Sequence, residues 1–155
     1  RSQKIIYNGN MAKNRFTLRA AVYLLLLKDN HILLSRRYKT GWKDGYYSLV
    51  AGHLDGDETV FQAMIREAAE EACLTIQEKD LAVVHVMHRK YDIEYVDFYL
   101  TASDWEGEPR IGEPNKCDDL QWFPLAALPE NLVENVKLAI QYKGEKTFFS
   151  TGGWK

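Results

Sequence analysis

The sequence predicts a mixed α/β domain on three observations. Runs rich in aliphatic, β-branched and aromatic residues at about 17–28 and 31–38, and again at 81–89 and 93–101, read as two pairs of strands. Between the pairs, Phe61, Met64, Ile65, Ala68, Ala69 and Ala72 recur at helical spacing as one apolar stripe. A second amphipathic stretch, about 129–142, reads as a C-terminal helix. A chain of 155 residues is expected to form one domain that buries roughly two-thirds of its unfolded surface.

Residues 1–10 precede Met11 and are set apart as an N-terminal arm or leader, which leaves 11–155 as the domain. Lys13, Arg15 and Arg19 before the apolar run 20–27 imitate a secretion signal. However, Lys28-Asp29-Asn30-His31 follow without a small-residue cleavage site. The run is also far too short to cross a bilayer, so it reads as a buried strand. Asp29-Asn30 turns it into the next strand, which ends on Ser35-Arg36-Arg37-Tyr38. Residues 39–46 form a glycine-punctuated loop carrying Trp42, and Tyr47-Ser48-Leu49-Val50 is a short strand.

Thr59 and Gln62 make a capping box that starts the first helix near Val60. His85 and His88 lack the period-two spacing that would face them together, so they read as core or surface histidines rather than a metal pair. Residues 103–116 are turn-rich, and 118–123 form a last strand. The tail 148–154 is expected to be aromatic and flexible, packing back on the domain or serving an interface.

Chemistry concentrates in the stretch Gly52 to Leu74. Glu67, Glu70 and Glu71 fall on one side of the helix, where exposed like charges repel by a few tenths of a kcal/mol per pair. A hard divalent cation, magnesium or manganese, would reverse that repulsion. Glu58 lies just ahead of the helix, placed to pair with Arg66. A solvated, charge-rich helix is the plain alternative.

The same stretch resembles the Nudix hydrolase signature, with Gly52, Glu58, Arg66, Glu67, Ala68, Glu70, Glu71 and Leu74 in register. Cys73 stands where the family usually has a glycine. The run Trp105-Glu106-Gly107-Glu108-Pro109 and the pair Arg36-Arg37 are similar to MutT-type members. The resemblance implies an α/β/α sandwich with a mixed sheet between helices, and hydrolysis of a nucleoside diphosphate linked to another moiety. It implies Mg2+ or Mn2+ held by Glu67, Glu70, Glu71, Glu113 and the backbone carbonyl near Ala51 or Gly52. Glu70 and Glu113 are the candidates for general base, with Glu67 also placed among the catalytic carboxylates. Glu58 and Arg66 take a structural role that steadies the loop against the helix. Of the arginine pair, one member is expected to contact substrate phosphates, where a planar fork suits the geometry. Trp42 and Trp122 are candidate base contacts, with packing as the alternative for each.

The arginine pair and the Trp105–Pro109 run favour a nucleoside triphosphate, split to monophosphate and pyrophosphate. Dinucleoside polyphosphates and nucleotide sugars are the alternatives. Tyr91 lies seventeen residues past Leu74, as in dinucleoside polyphosphate members, and no proline lies at fifteen, where many ADP-ribose pyrophosphatases have one. A non-hydrolysing nucleotide sensor and an interaction scaffold are the readings of another class. A net charge of −2 supplies no general attraction to nucleic acid or membranes, so the expected partner is a small nucleotide, with homodimerisation left open. Two cysteines, Cys73 and Cys117, make neither a disulfide framework nor a zinc spacing and fit a reducing cytoplasm. The alternation of Leu74 and Ile76 favours Cys73 leaving the helix at negative φ with its thiol inward; a left-handed Cys73 is the alternative.

Overall fold

The computed structural model describes residues 6–7, 10–11 and 15–155. Strand β1 (Ile6–Tyr7) pairs antiparallel with β2 (Asn10–Met11). The rest of the arm expected over residues 1–10 lies outside the described residues.

The strand expected over 17–28 is two strands in different sheets, β3 (Arg19–Leu24) and β4 (Leu27–Lys28). Between them Leu25 and Leu26 are both fully buried, but in opposite clusters of the core. Adjacent residues point to opposite sides of extended chain, so this pair bolts the two clusters together as the backbone crosses over. Asp29 and Asn30, at φ of 50° and 59°, make the tight turn into β5 (His31–Arg37).

Strands β6 (Tyr47–Ser48) and β7 (Val50–His53) follow, then helix α1 (Val60–Ala72). The remaining elements are β8 (Leu81–Lys90), β9 (Glu94–Ala102), β10 (Cys117–Pro124), α2 (Glu134–Gly144) and β11 (Phe149–Gly152). A four-stranded antiparallel sheet has the order β10-β5-β4, with β6 also on β5. A five-stranded mixed sheet has the order β11-β8-β9-β3-β7, parallel at β3/β9 and β11/β8. Alternation sorts its two faces. Val22, Leu24 and Leu100 pack with Met64 and Ala68 of α1, while Tyr99 and Met87 pack with Val136 and Ala139 of α2. The mixed sheet is therefore sandwiched between α1 and α2.

The Thr59 hydroxyl accepts from the Gln62 amide and the Gln62 side chain accepts from the Thr59 amide, closing the capping box that starts α1. At the other end the expectation for Cys73 is overturned: it is left-handed, at φ 56° and ψ 32°. That conformation lets the amides of Cys73 and Leu74 reach the carbonyls of Ala69 and Ala68 at 3.2 and 3.1 Å. The chain thereby reverses at once and drops Leu74, fully buried, into the core.

Two further boundaries depart from expectation. Helix α2 begins at 134 rather than 129, because Tyr47 exchanges backbone hydrogen bonds with Asn131 and Val133 and holds that segment extended. The tail expected to be flexible contains β11, paired parallel to β8. Buried His85 ties it down, its ring nitrogens 2.7 Å from the Thr147 carbonyl and 2.7 Å from the Ser150 hydroxyl. His88 lies at the surface end of the same strand, 3.2 Å from Glu94.

Candidate active site

Arg66 organises the loop between β7 and α1. Its Nε and Nη2 donate to Glu58 at 3.1 and 2.8 Å, and Nη2 also donates to the His53 carbonyl at 3.1 Å. Nη1 donates to Glu67 at 2.6 Å and reaches Glu70 at 3.4 Å. The guanidinium fork thus ties the glycine loop to the helix and turns the Glu67 carboxylate toward Gly52. These hydrogen bonds hold the Glu58 carboxyl below its ordinary range.

The segment before β10 is docked on the C-terminal end of α1. Arg110 and Gly112 donate their amides to the Ala72 and Glu71 carbonyls at 3.0 and 2.9 Å, satisfying helix-end acceptors that would otherwise lack partners. A Cβ on Gly112 would fall 1.9 Å from the Glu70 carbonyl oxygen, so only glycine permits this approach. Glu106 pairs with Thr75 further along. This docking delivers Glu113, the next residue, to the carboxylates of the helix.

Glu67, Glu71 and Glu113 line one cleft of about 370 Å³, together with Arg37, Lys116, Trp42, His53, Tyr23 and Asn135. Arg37 Nε donates to the Trp42 carbonyl at 2.7 Å and Nη2 to Thr40 at 2.9 Å, while its guanidinium lies over the Trp42 ring. Three residues named from sequence as metal, catalytic or substrate contacts stand outside the cleft. Arg36, on the other face of β5, pairs with Asp118 at 2.7 Å. Trp122 packs against the α1 side of the core beside Trp105. The Glu70 carboxylate is half exposed on the Arg66 side. Sequence reasoning missed Tyr23, His53, Lys116 and Asn135. His53 follows the signature's first glycine and Lys116 lies three residues past Glu113, which are usable signals; Tyr23 and Asn135 are brought in by topology alone.

Burial pushes the Glu71 carboxyl up to about 7, with Glu67 and Glu113 adding to the rise and the Ala51 amide, 3.0 Å away, opposing it. Burial also raises Glu67, against the pull of Arg66. Among the described residues no three acidic, histidine or cysteine side chains already converge as a metal cage. Instead each carboxylate has an internal partner: Arg66 for Glu67, the Ala51 amide for Glu71, and Lys116 for Glu113. The donor set nevertheless fits a hard divalent ion. It offers crowded oxygen ligands, a desolvated carboxylate that resists ionising without a cation, and a glycine that keeps the Glu67 approach clear.

The chain is similar to known proteins in sequence and in fold. The model of the NUDIX domain matches residues 17–142. An ADP-ribose pyrophosphatase of Methanocaldococcus jannaschii is 31% identical over 144 residues, covering 91% of this chain and 83% of that protein. An 8-oxo-dGTP diphosphatase of Escherichia coli K12 is 28% identical over 118 residues, covering 72% and 83% respectively. The crystal structure of a MutT NUDIX hydrolase from Burkholderia pseudomallei superposes with a TM-score of 0.75 at 27% identity, over 81% of this chain and 98% of that one. With the signature, the sandwiched sheet and the carboxylate cleft all in place, the chain belongs to the Nudix family.

Proposed function

We propose that the protein is a divalent-metal-dependent hydrolase that splits a nucleoside triphosphate into a nucleoside monophosphate and pyrophosphate. The observation that carries the reading is the shared cleft, in which Glu67, Glu71 and Glu113 face Arg37 and Lys116. Carboxylates and phosphate-binding cations in one cavity suit a polyanionic substrate with its counter-ions.

Glu67, Glu71 and Glu113, with the backbone carbonyl near Ala51 or Gly52, would hold Mg2+ or Mn2+. The ion, when bound, supplies neutralisation of phosphate charge and activation of water. Arg37, held by Trp42 and Thr40, retains Nη1 for a phosphate oxygen. Glu113 reaches the cleft, whereas Glu70 is engaged by Arg66 outside it. That difference favours Glu113 as the base that takes the water proton. Trp42 stands on the cleft wall as a stacking surface, whereas Trp122 belongs to the core.

A nucleotide sugar is the second reading, favoured by the 31% identity to an ADP-ribose pyrophosphatase. The test is a substrate panel of nucleoside triphosphates, ADP-ribose and dinucleoside polyphosphates with Mg2+, with the nucleotide, sugar-phosphate and pyrophosphate products identified by anion-exchange chromatography. Pyrophosphate release from triphosphates, abolished by chelator, is the expected result. Cleavage of ADP-ribose alone would move the assignment to the second reading, and binding without turnover would make the protein a nucleotide sensor.

A further inference from the structure

We infer that Lys116 serves the cleft in two positions: as counter-ion to the carboxylates before a divalent ion binds, and as donor to a substrate phosphate afterwards. The inference rests on the metal-dependent reading above and deepens it.

The root of Lys116 is fixed. Its amide donates to the Glu113 carbonyl at 2.9 Å, and its carbonyl accepts from the Tyr38 amide at 2.9 Å. The next residue, Cys117, pairs with Arg37 across β10 and β5. Lys116 and Arg37 therefore stand on neighbouring strand ends, and both line the cleft. The tip of Lys116 is free to move. Its side chain is 56% exposed, and among the described residues its ammonium has one partner, Glu113 Oε1 at 3.1 Å. An ammonium has three donors, so two are unspent.

Folding does not account for this arrangement, because an exposed pair of this kind contributes little to stability. Arg37 is committed to Trp42 and Thr40, which leaves Lys116 as the less encumbered cation of the cleft among the described residues. An ammonium and a divalent ion compete for the same Glu113 oxygen. Once Glu113 is taken by the ion, Lys116 is released beside the position a phosphate would occupy. A compact charge on a flexible four-carbon stem is suited to that exchange, and Arg37, planar and held, is not.

Three proteins test the inference: wild type, Lys116→Met and Lys116→Arg. Mn2+ binding is measured by electron paramagnetic resonance without nucleotide, and pyrophosphate binding to the Mg2+-loaded protein by calorimetry. Removing the competing charge in Lys116→Met is expected to tighten Mn2+ binding about threefold or more. The same variant is expected to weaken pyrophosphate binding about tenfold and to raise KM more than it lowers kcat. Lys116→Arg should recover most of the pyrophosphate affinity. A Lys116→Met protein in which either titration stays at the wild-type value overturns the inference and leaves the hydrolase reading standing. Wild-type protein that binds no Mn2+ overturns both. Lys116→Gln serves in place of the Met variant should that one fold poorly.

Discussion

A Cβ built on Gly52 would fall 2.0 Å from Oε1 of Glu67, so the helix carboxylate fills the space that any side chain at position 52 would need. Gly52→Ala is therefore expected to push Glu67 off its site rather than to unfold the protein, because the far end of a side chain can move. Mn2+ affinity should fall at least about tenfold while the urea midpoint changes little. A large loss of stability with metal binding intact would show that Gly52 serves the backbone instead.

Cys73 adopts a conformation that glycine takes freely. Cys73→Gly should stabilise the protein by about 1 kcal/mol, since the penalty of a Cβ at positive φ disappears and the thiol is only partly buried. Urea melts would register it, and turnover should stay unchanged. Destabilisation instead would mean that the thiol packs more strongly than its partial burial implies.

Neighbouring arginines are expected to behave differently. Arg37→Ala should raise KM for a triphosphate about tenfold, because it lines the cleft and keeps a free donor. Arg36→Ala should alter KM less than about twofold and stability by less than about 1 kcal/mol, since it removes an exposed pair with Asp118. Equal effects on KM would contradict the separation of the two faces of β5.

Glu71 sets a pH dependence whose sign follows from its shift. The folded value, about 7, lies above the ordinary 4.5, so the folded state holds this proton more tightly than the unfolded chain. The group's contribution to stability is full below 4.5 and is lost as pH rises through about 7. Without divalent ions, wild type should lose on the order of 2–3 kcal/mol relative to Glu71→Gln between about pH 5 and pH 8. Urea unfolding of both proteins at each pH measures that difference. Divalent-ion affinity should run the other way, rising through about pH 7, because the ligand is the ionised carboxylate.

The helix and its N-terminal cap were legible because their determinants are local. Thr59 and Gln62 sit three apart, and the apolar stripe repeats every turn. The crossover at Leu25 and Leu26 was not, since an unbroken leucine run looks alike whether it feeds one buried sheet or two. Nor was β11, whose few residues acquire strand character from pairing with β8, more than sixty positions earlier. Within the cleft, Glu67 and Glu71 could be read from helical spacing, whereas Glu113 came only from the resemblance to MutT-type members. The separation of Glu70 from them could not, because it depends on which side of α1 the Gly52 loop and the segment before β10 approach. The left-handed Cys73 went against its alternating neighbours, as the demand to close the helix outweighed the cost of a Cβ.

The pairing of β11 along Val86 to Arg89 also closes one edge of the mixed sheet. Without those last residues, β8 would present unpaired amides and carbonyls beside a buried imidazole stripped of both partners. Such a margin is a template for another molecule's strand. A chain cut before Thr147 is therefore expected to self-associate through β8, which size-exclusion chromatography at rising concentration would register.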